Sequence, residues 1–71
     1  MSHKTAIIVA NGERREIELP CTLEKFLASS GWRSTQVVVE HNGNVVLRNA
    51  VGNTELQDGD NLEVILPVAG G

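Results

Sequence analysis

The sequence ends on its two chemically most unusual residues, Gly70 and Gly71. Glycine has no Cβ, so a segment that ends on two glycines fits a narrow channel and bends freely. The carboxylate of Gly71 is a poor electrophile, but conversion to an acyl-adenylate would make its unhindered carbonyl reactive. The segment from Pro67 to Gly71 would reach roughly 17 Å when extended. We predict that residues 68–71 (Val68, Ala69, Gly70 and Gly71) form a flexible tail activated by another protein, with a frayed chain end as the alternative.

The other reactive side chains do not form a catalytic or metal-binding set. Cys21 precedes a predicted helix, where the pKa of a thiol can fall, but a small, semi-buried residue is the simpler interpretation. The histidines, His3 and His41, show no metal-ligand spacing with this single cysteine. Residues 58–60 (Asp-Gly-Asp) lack the ligand series of a calcium loop and predict a turn. The sequence therefore predicts no catalytic residue and no metal site, and a small enzyme that uses Cys21 is the disfavoured alternative.

The composition indicates one small domain with little room for a deep catalytic pocket. The chain has 71 residues, 41% of them hydrophobic, and a formal net charge of −3. Its only aromatic residues are Phe26 and Trp32, and acidic residues outnumber basic ones, so neither nucleic acid nor a membrane is a predicted partner. The apolar run at residues 6–10 is too short for a signal peptide or a spanning helix. We expect a cytoplasmic protein with a single domain over residues 1–67.

The first half of the chain predicts a hairpin followed by a helix. Asn11-Gly12 favours a tight type I′ turn between two strands, residues 6–10 and 14–19. Apolar residues then recur at helical spacing between residues 22 and 30, with a threonine as N-cap and Gly31 as the C-terminal stop. These signals predict two paired strands and a helix of two to three turns.

The second half of the chain predicts three more strands. Asn42-Gly43 marks a hairpin between residues 36–41 and 44–48, residues 49–57 are irregular, and residues 61–67 form the last strand. We expect this last strand to insert beside the first one, in parallel, because no tight turn joins it to its predecessor. The order β-β-α-β-β-β predicts an α+β fold with a mixed sheet of about five strands packed on one helix. This arrangement is the β-grasp, or ubiquitin-like, fold.

Alternation along the strands predicts which face of the sheet meets a partner. The natural core set of the last strand is Leu62, Val64 and Leu66. Ile65 then points away from the helix. The first strand is apolar on both faces, so Ile7 and Val9 point outward if Ile8 is buried. We predict that Ile7, Val9 and Ile65 form an apolar patch for a partner, with scattered surface residues as the alternative.

Four segments taken together carry a family resemblance. They are Asn11-Gly12, residues 37–46 (VVVEHNGNVV), residues 56–64 (LQDGDNLEV) and Gly70-Gly71. This combination resembles the ubiquitin-like sulfur carriers, and most closely the ThiS family of the thiamine pathway. The resemblance extends over essentially the whole chain, and its motifs are specific only in combination.

The resemblance implies a function that needs no catalytic pocket in this chain. An ATP-dependent adenylating enzyme would activate Gly71, and sulfur from a cysteine desulfurase relay would replace the adenylate to give a thiocarboxylate. Thiazole synthase would take this sulfur to build the thiazole of thiamine. ATP and magnesium would belong to the activating enzyme, and the carrier would bind no cofactor itself. Asp58, Asp60 and Glu63 would face a basic surface of that enzyme, with an ordinary solvated turn as the alternative.

Three other functions stay open at the level of sequence. The ending Leu66–Gly71 is also similar to the small subunit of molybdopterin synthase, which uses the same thiocarboxylate chemistry. The short loop before Gln36 and the hairpin from Glu40 to Val46 favour the thiamine carrier. A terminal Gly-Gly is equally compatible with conjugation to protein lysines. The last alternative is a binding module whose tail is idle.

Overall fold

The computed structural model describes residues 4–67, which begin with a hairpin. Strand β1 (Lys4–Ala10) pairs antiparallel with β2 (Glu13–Leu19) along their whole length. Asn11 and Gly12 form the turn with φ angles of 52° and 82°. Asparagine tolerates this left-handed region and glycine has no Cβ to clash in it, so the pair closes a two-residue turn and sets the register. The predicted hairpin is confirmed.

Helix α1 (Leu23–Ser29) follows, and its start is fixed by a side-chain cap. The Thr22 hydroxyl accepts a hydrogen bond from the Lys25 N–H at 3.1 Å, which satisfies one of the free donors of the first turn. Gly31 lies just beyond the helix with φ of 85°, as expected of a C-terminal stop. No helix within residues 4–67 has the length and apolar character needed to cross a membrane.

The rest of the described chain supplies three strands and a 3₁₀ helix. The strands are β3 (Val38–His41), β4 (Asn44–Val46) and β5 (Asn61–Ile65). The 3₁₀ helix (Arg48–Asn53) begins at the last residue of a predicted strand (44–48) and continues into the region predicted to be irregular (49–57), so both predictions are wrong in part. Its one buried side chain is Val51, and such a short element with a single inward residue has no periodicity to read in the sequence.

The five strands form one mixed sheet in the order β2-β1-β5-β3-β4. The last strand, β5, lies in the middle, parallel to β1 and antiparallel to β3. The predicted insertion of the last strand beside the first is therefore confirmed. With α1 packed against the sheet, this is the predicted α+β, ubiquitin-like β-grasp.

The core lies between α1 and the inner face of the sheet. Its fully buried large side chains are Ile8, Leu23, Leu27 and Leu62. Phe26 adds an aromatic ring, at 4% exposure, so the predicted helix face is confirmed. One core prediction is wrong, because Leu66 is 57% exposed. The strand ends at Ile65, so Leu66 is no longer held in the alternation that turns Leu62 and Val64 inward.

Candidate functional site

The residues predicted to carry the chemistry lie outside the described part of the chain: Val68, Ala69, Gly70 and Gly71. The structure does describe the strand that leads to them. Strand β5 has a neighbour on each side and ends at Ile65. Leu66 and Pro67 follow it and are exposed. The chain thus leaves the fold from the middle strand of the sheet, which is held on both sides.

Two asparagine side chains hold β5 in place. Asn11 accepts a hydrogen bond from the Val64 N–H at 2.7 Å and donates one to the Val64 carbonyl at 3.2 Å. Asn42 accepts from the Asn61 N–H through Oδ1 at 2.8 Å, and its backbone N–H donates to the Asn61 carbonyl at 2.8 Å. The sequence indicated only that Asn11 and Asn42 belong to turns. Nothing local in the sequence shows that each turn faces the same remote strand.

Asp60 is a buried charged residue at the start of β5, with 8% exposure. Its carboxylate lies 2.8 Å from His41 Nε2 and accepts hydrogen bonds from Asn42 Nδ2 at 3.1 Å and the Gln57 N–H at 2.8 Å. Burial by itself raises the pKa of Asp60, but these hydrogen bonds and the nearby His41 outweigh it and hold the pKa below its usual value. The carboxylate predicted to face a partner is therefore turned onto the fold itself.

Asp58 also has a partner within the fold, although its side chain is exposed. Its Oδ1 accepts a hydrogen bond from the Ile7 N–H at 2.7 Å, and the Gly59 N–H donates to the Ile7 carbonyl at 2.8 Å. The turn thus extends the contact between β1 and β5 beyond the strand ends. Glu63, the third acidic residue predicted near the tail, is exposed on the outer face of β5, where a partner can reach it.

The predicted apolar patch is divided in two. Ile7, Val9 and Ile65 share the outer face of the sheet, as expected once Ile8 is buried. Val9 pairs with Asn61, four residues before Ile65, which separates the two by about 13 Å along the strand. The outer-facing Asn61 and Glu63 occupy the space between them, and Ile7 and Val9 are half-buried rather than exposed. The register of β1 against β5 is the reason that no continuous patch forms.

Ile65 instead belongs to an outer-face cluster that we define as Val38, Val45 and Ile65. Val38 lies directly opposite Ile65 in the β3–β5 pairing. The exposed fractions are 39% for Val38, 59% for Val45 and 46% for Ile65. Val38 and Val45 also line a groove of about 200 Å³ beside β4. The sequence analysis missed Val38 and Val45, although alternation from an inward Val39 in β3 and an inward Val46 in β4 was a signal that could have found them.

Among residues 4–67, the other candidate side chains show no arrangement for catalysis. Cys21 is buried, and burial raises the pKa of its thiol, an effect that nearby Lys25 only partly offsets. A thiol with a raised pKa is mostly protonated and is a poor nucleophile. Within the described residues no group of His, Cys, Asp and Glu side chains is placed to hold a metal ion.

Comparison with known proteins agrees with the fold and identifies the family. Residues 8–71 match the ThiS family over the sheet, the helix and the Gly-Gly ending. The chain belongs to the ThiS family. A crystal structure of the thiamine biosynthesis protein ThiS from Geobacter metallireducens matches 92% of this chain and 99% of its own length, with 26% identity and a TM-score of 0.79. The solution NMR structure of a Geobacter metallireducens thiamine biosynthesis protein gives a TM-score of 0.75 at the same identity.

Two curated relatives of this ThiS-family chain are named thiazole synthase. The one from Paramagnetospirillum magneticum is 34% identical over 64 residues, and the one from Magnetococcus marinus is 39% identical over 61 residues. The matches cover 90% and 86% of this chain but only 20% and 19% of those proteins. The chain therefore spans about one fifth of the length of these relatives.

Proposed function

We propose that this ThiS-family chain is a sulfur carrier of thiamine biosynthesis that acts through the carboxylate of Gly71. The observation that carries the proposal is the family match, which continues from β1 through the whole fold to Gly71 itself. The relatives named thiazole synthase point to the same pathway and to the acceptor of the sulfur.

The chemistry takes place on the tail and is performed by partner enzymes. In an ATP-dependent adenylating enzyme, a carboxylate oxygen of Gly71 attacks the α-phosphate of ATP and pyrophosphate leaves. The persulfide of a sulfur donor, loaded by a cysteine desulfurase relay, then attacks the carbonyl, so that a carbon–sulfur bond forms and the carbon–oxygen bond to AMP breaks. A thiol reductant next attacks the donor's sulfur and cleaves the sulfur–sulfur bond of this acyl disulfide, which leaves the thiocarboxylate on Gly71 and a disulfide between the donor and the reductant. The resulting thiocarboxylate delivers sulfur to thiazole synthase. ATP and magnesium are bound by the adenylating enzyme, so the carrier contributes the carboxylate and the surface that presents it.

The geometry supports a docking role for the outer-face cluster. Ile65 is the last residue of β5, and six residues (66–71) separate it from the reactive carboxylate. A partner that packs on Val38, Val45 and Ile65 receives the tail from the adjoining strand end, at a span of about 20 Å when extended. The hydrogen bonds between Asn11 and Val64, and the pairing of Ile65 with Val38, keep that strand end in position. Glu63, on the same face, adds an acidic contact for a basic surface of the partner.

The test of the tail is intact mass spectrometry. The chain is incubated with an adenylating enzyme of the thiamine pathway, a cysteine desulfurase, cysteine, ATP, magnesium and dithiothreitol as the thiol reductant. We expect the mass change of one oxygen-to-sulfur exchange, confined to the C-terminal peptide. A variant without Gly71 should fold normally and show no exchange. The proposal fails if the full chain is never converted, or if the exchange persists after Gly71 is removed.

The test of the docking surface compares two lysine substitutions of equal charge. Ile65→Lys places a charge in the outer-face cluster, whereas Ala28→Lys places it on the exposed side of α1. We expect Ile65→Lys to slow thiocarboxylate formation about tenfold or more, the cost of losing an interface anchor, and Ala28→Lys to leave the rate unchanged. Thermal unfolding of both variants checks that the fold is intact. If removal of Gly71 has no effect while Ile65→Lys abolishes function, the protein is a binding module instead.

A further inference from the structure

Strand β2 is an edge strand, and nothing within residues 4–67 pairs with its outer side. The two-residue turn makes Ala10 and Glu13 a hydrogen-bonded pair, so the odd-numbered residues of β2 bond to β1. The alternation along β1 agrees with this assignment. Val9 lies opposite Arg14, and its N–H points away from β2 and donates to the Asp60 carbonyl, next to β5. The residues of β2 whose backbone N–H and C=O groups point away from the sheet are Arg14, Glu16 and Glu18.

A groove of about 250 Å³ follows this open edge, between β2 and α1. Glu16, Ile17 and Glu18 line one side of it. The helix supplies Lys25, Phe26 and Ser29, and Cys21 also contributes. Ile17 is half-buried and packs against the core, so the groove has an apolar floor beside a row of free backbone hydrogen-bonding groups.

We propose that the β2 edge binds an extended segment of another protein as a sixth strand, and that this segment alternates basic and apolar residues. In an added antiparallel strand, the residues opposite Glu16 and Glu18 lie on the same face as these carboxylates. Opposite charges in those positions attract, so the partner carries lysine or arginine there. The residues between them point to the other face, over Ile17 and the Phe26 side of the groove, and are apolar.

Neither the opposite edge of the sheet nor a second copy of the chain fits as well. Strand β4 (Asn44–Val46) has three residues. By the same alternation, only Val45 directs its backbone N–H and C=O groups away from the sheet. A second copy paired through β2 would offer a single basic residue on the outer face, Arg14, for two carboxylates. The β2 edge is separated from β5 by β1, so this site does not depend on the proposed function.

The experiment follows backbone amide signals of the ¹⁵N-labelled full chain by NMR during titration with a peptide. The probe is a capped seven-residue peptide of alternating lysine and valine. We expect saturable shifts at Arg14, Glu16 and Glu18 and along the helix wall from Lys25 to Ser29. A second peptide has the same sequence but N-methyl groups on its lysine amides, which are the amides that would pair with β2. It keeps the charge and should lose the binding.

Two variants of the protein complete the test. Glu16→Lys reverses a charge at the proposed site, and Glu63→Lys makes the same change on the exposed face of β5. We expect Glu16→Lys to weaken binding about tenfold and Glu63→Lys to leave it nearly unchanged. Equal binding of the N-methylated peptide, equal effects of the two variants, shifts confined to the β3–β4 edge, or no saturable shift at millimolar peptide would each overturn the proposal. Self-association through β2, detected by sedimentation, would also overturn it.

Discussion

Asp60 is the one charged residue among residues 4–67 that is buried. Its carboxylate makes three hydrogen-bonding contacts, with His41 in β3, with Asn42 in the turn that follows, and with Gln57 in the loop that precedes β5. A buried carboxylate without such partners would cost free energy, so these contacts compensate for its desolvation. Asp60 therefore contributes to the position of the start of β5, together with the strand pairing and the two asparagines.

Replacement of Asp60 by asparagine should destabilise the fold. An amide cannot accept all of the hydrogen bonds that the carboxylate accepts, because its NH₂ group replaces one of the two oxygens and then faces either the Asn42 Nδ2 donor or the Gln57 N–H donor. We expect the free energy of unfolding to fall by about 1–3 kcal/mol at neutral pH. Urea denaturation followed by circular dichroism measures this loss. A change below about 0.5 kcal/mol would show that the network contributes little.

The lowered pKa of Asp60 also predicts acid sensitivity. The folded state holds the ionised form more strongly than the unfolded state does, so the contribution to stability is complete above the ordinary aspartate pKa of about 3.9. It is lost as the pH falls through the lower pKa of the folded state. We expect acidification to reduce the stability gap between the wild type and Asp60→Asn. Stability curves that stay parallel down to about pH 2 would contradict this assignment.

Asn11 combines two roles that different substitutions can separate. It adopts a positive φ in the turn, and its side chain bonds to both backbone groups of Val64. Asn11→Gly keeps the turn but removes both bonds, and we expect a loss of about 1–3 kcal/mol. Asn11→Asp keeps the acceptor for the Val64 N–H and removes only the donor, so its loss should be smaller. Equal losses for the two variants, measured by thermal unfolding, would argue against the contact with Val64.

At the scale of elements, β5 explains how a short segment organises the sheet. It alternates strictly, with Leu62 and Val64 inward and Asn61, Glu63 and Ile65 outward. One face of the strand therefore contributes to the core, while its opposite face is exposed. This division fits the proposed function, in which the strand that leads to residues 68–71 also presents the surface beside them.

A pair of leucine substitutions tests where β5 ends. Leu62 is fully buried, so Leu62→Ala should cost about 2–5 kcal/mol through lost burial and the cavity that remains. Leu66 lies beyond the strand and is 57% exposed, so Leu66→Ala should change stability by less than about 0.5 kcal/mol. Chemical denaturation of both variants gives the comparison. A large loss for Leu66→Ala would restore it to the core set that the alternation predicts.

At the scale of the whole molecule, β5 joins two antiparallel pairs. The β1–β2 hairpin lies on one side and the β3–β4 hairpin on the other, and both contribute side chains to the core under α1. The hairpin at each side has little apolar surface to bury on its own. The two halves therefore depend on the same central strand and the same helix for their stability.

This arrangement predicts a single cooperative unfolding transition. Trp32, the one tryptophan, packs against the core and reports on its surroundings by fluorescence, while circular dichroism reports on the strands. We expect the two signals to give the same midpoint in urea, and Leu62→Ala to shift both together. Two separate midpoints would mean that one hairpin keeps its structure after β5 has been lost.

The sequence by itself determined the elements whose signals are local. Both Asn-Gly turns, the capped helix and the alternation within β5 depend on residues close together in the chain, where backbone preferences act directly. The absence of a tight turn before β5 was enough to predict its place beside β1. The Gly-Gly ending and the motif combination also led to the ThiS family, which the comparisons confirm.

Only the tertiary structure decided which residues meet across the sheet. The register of β5 separates Val9 from Ile65, pairs Ile65 with Val38 and brings Asn11 and Asn42 to opposite sides of the same strand. It also turns Asp60 inward and leaves Leu66 beyond the strand end. These outcomes depend on contacts between residues that are up to 53 positions apart in the chain. Local propensities and periodicity carry no information on such contacts, because they are set when the strands dock around a shared core.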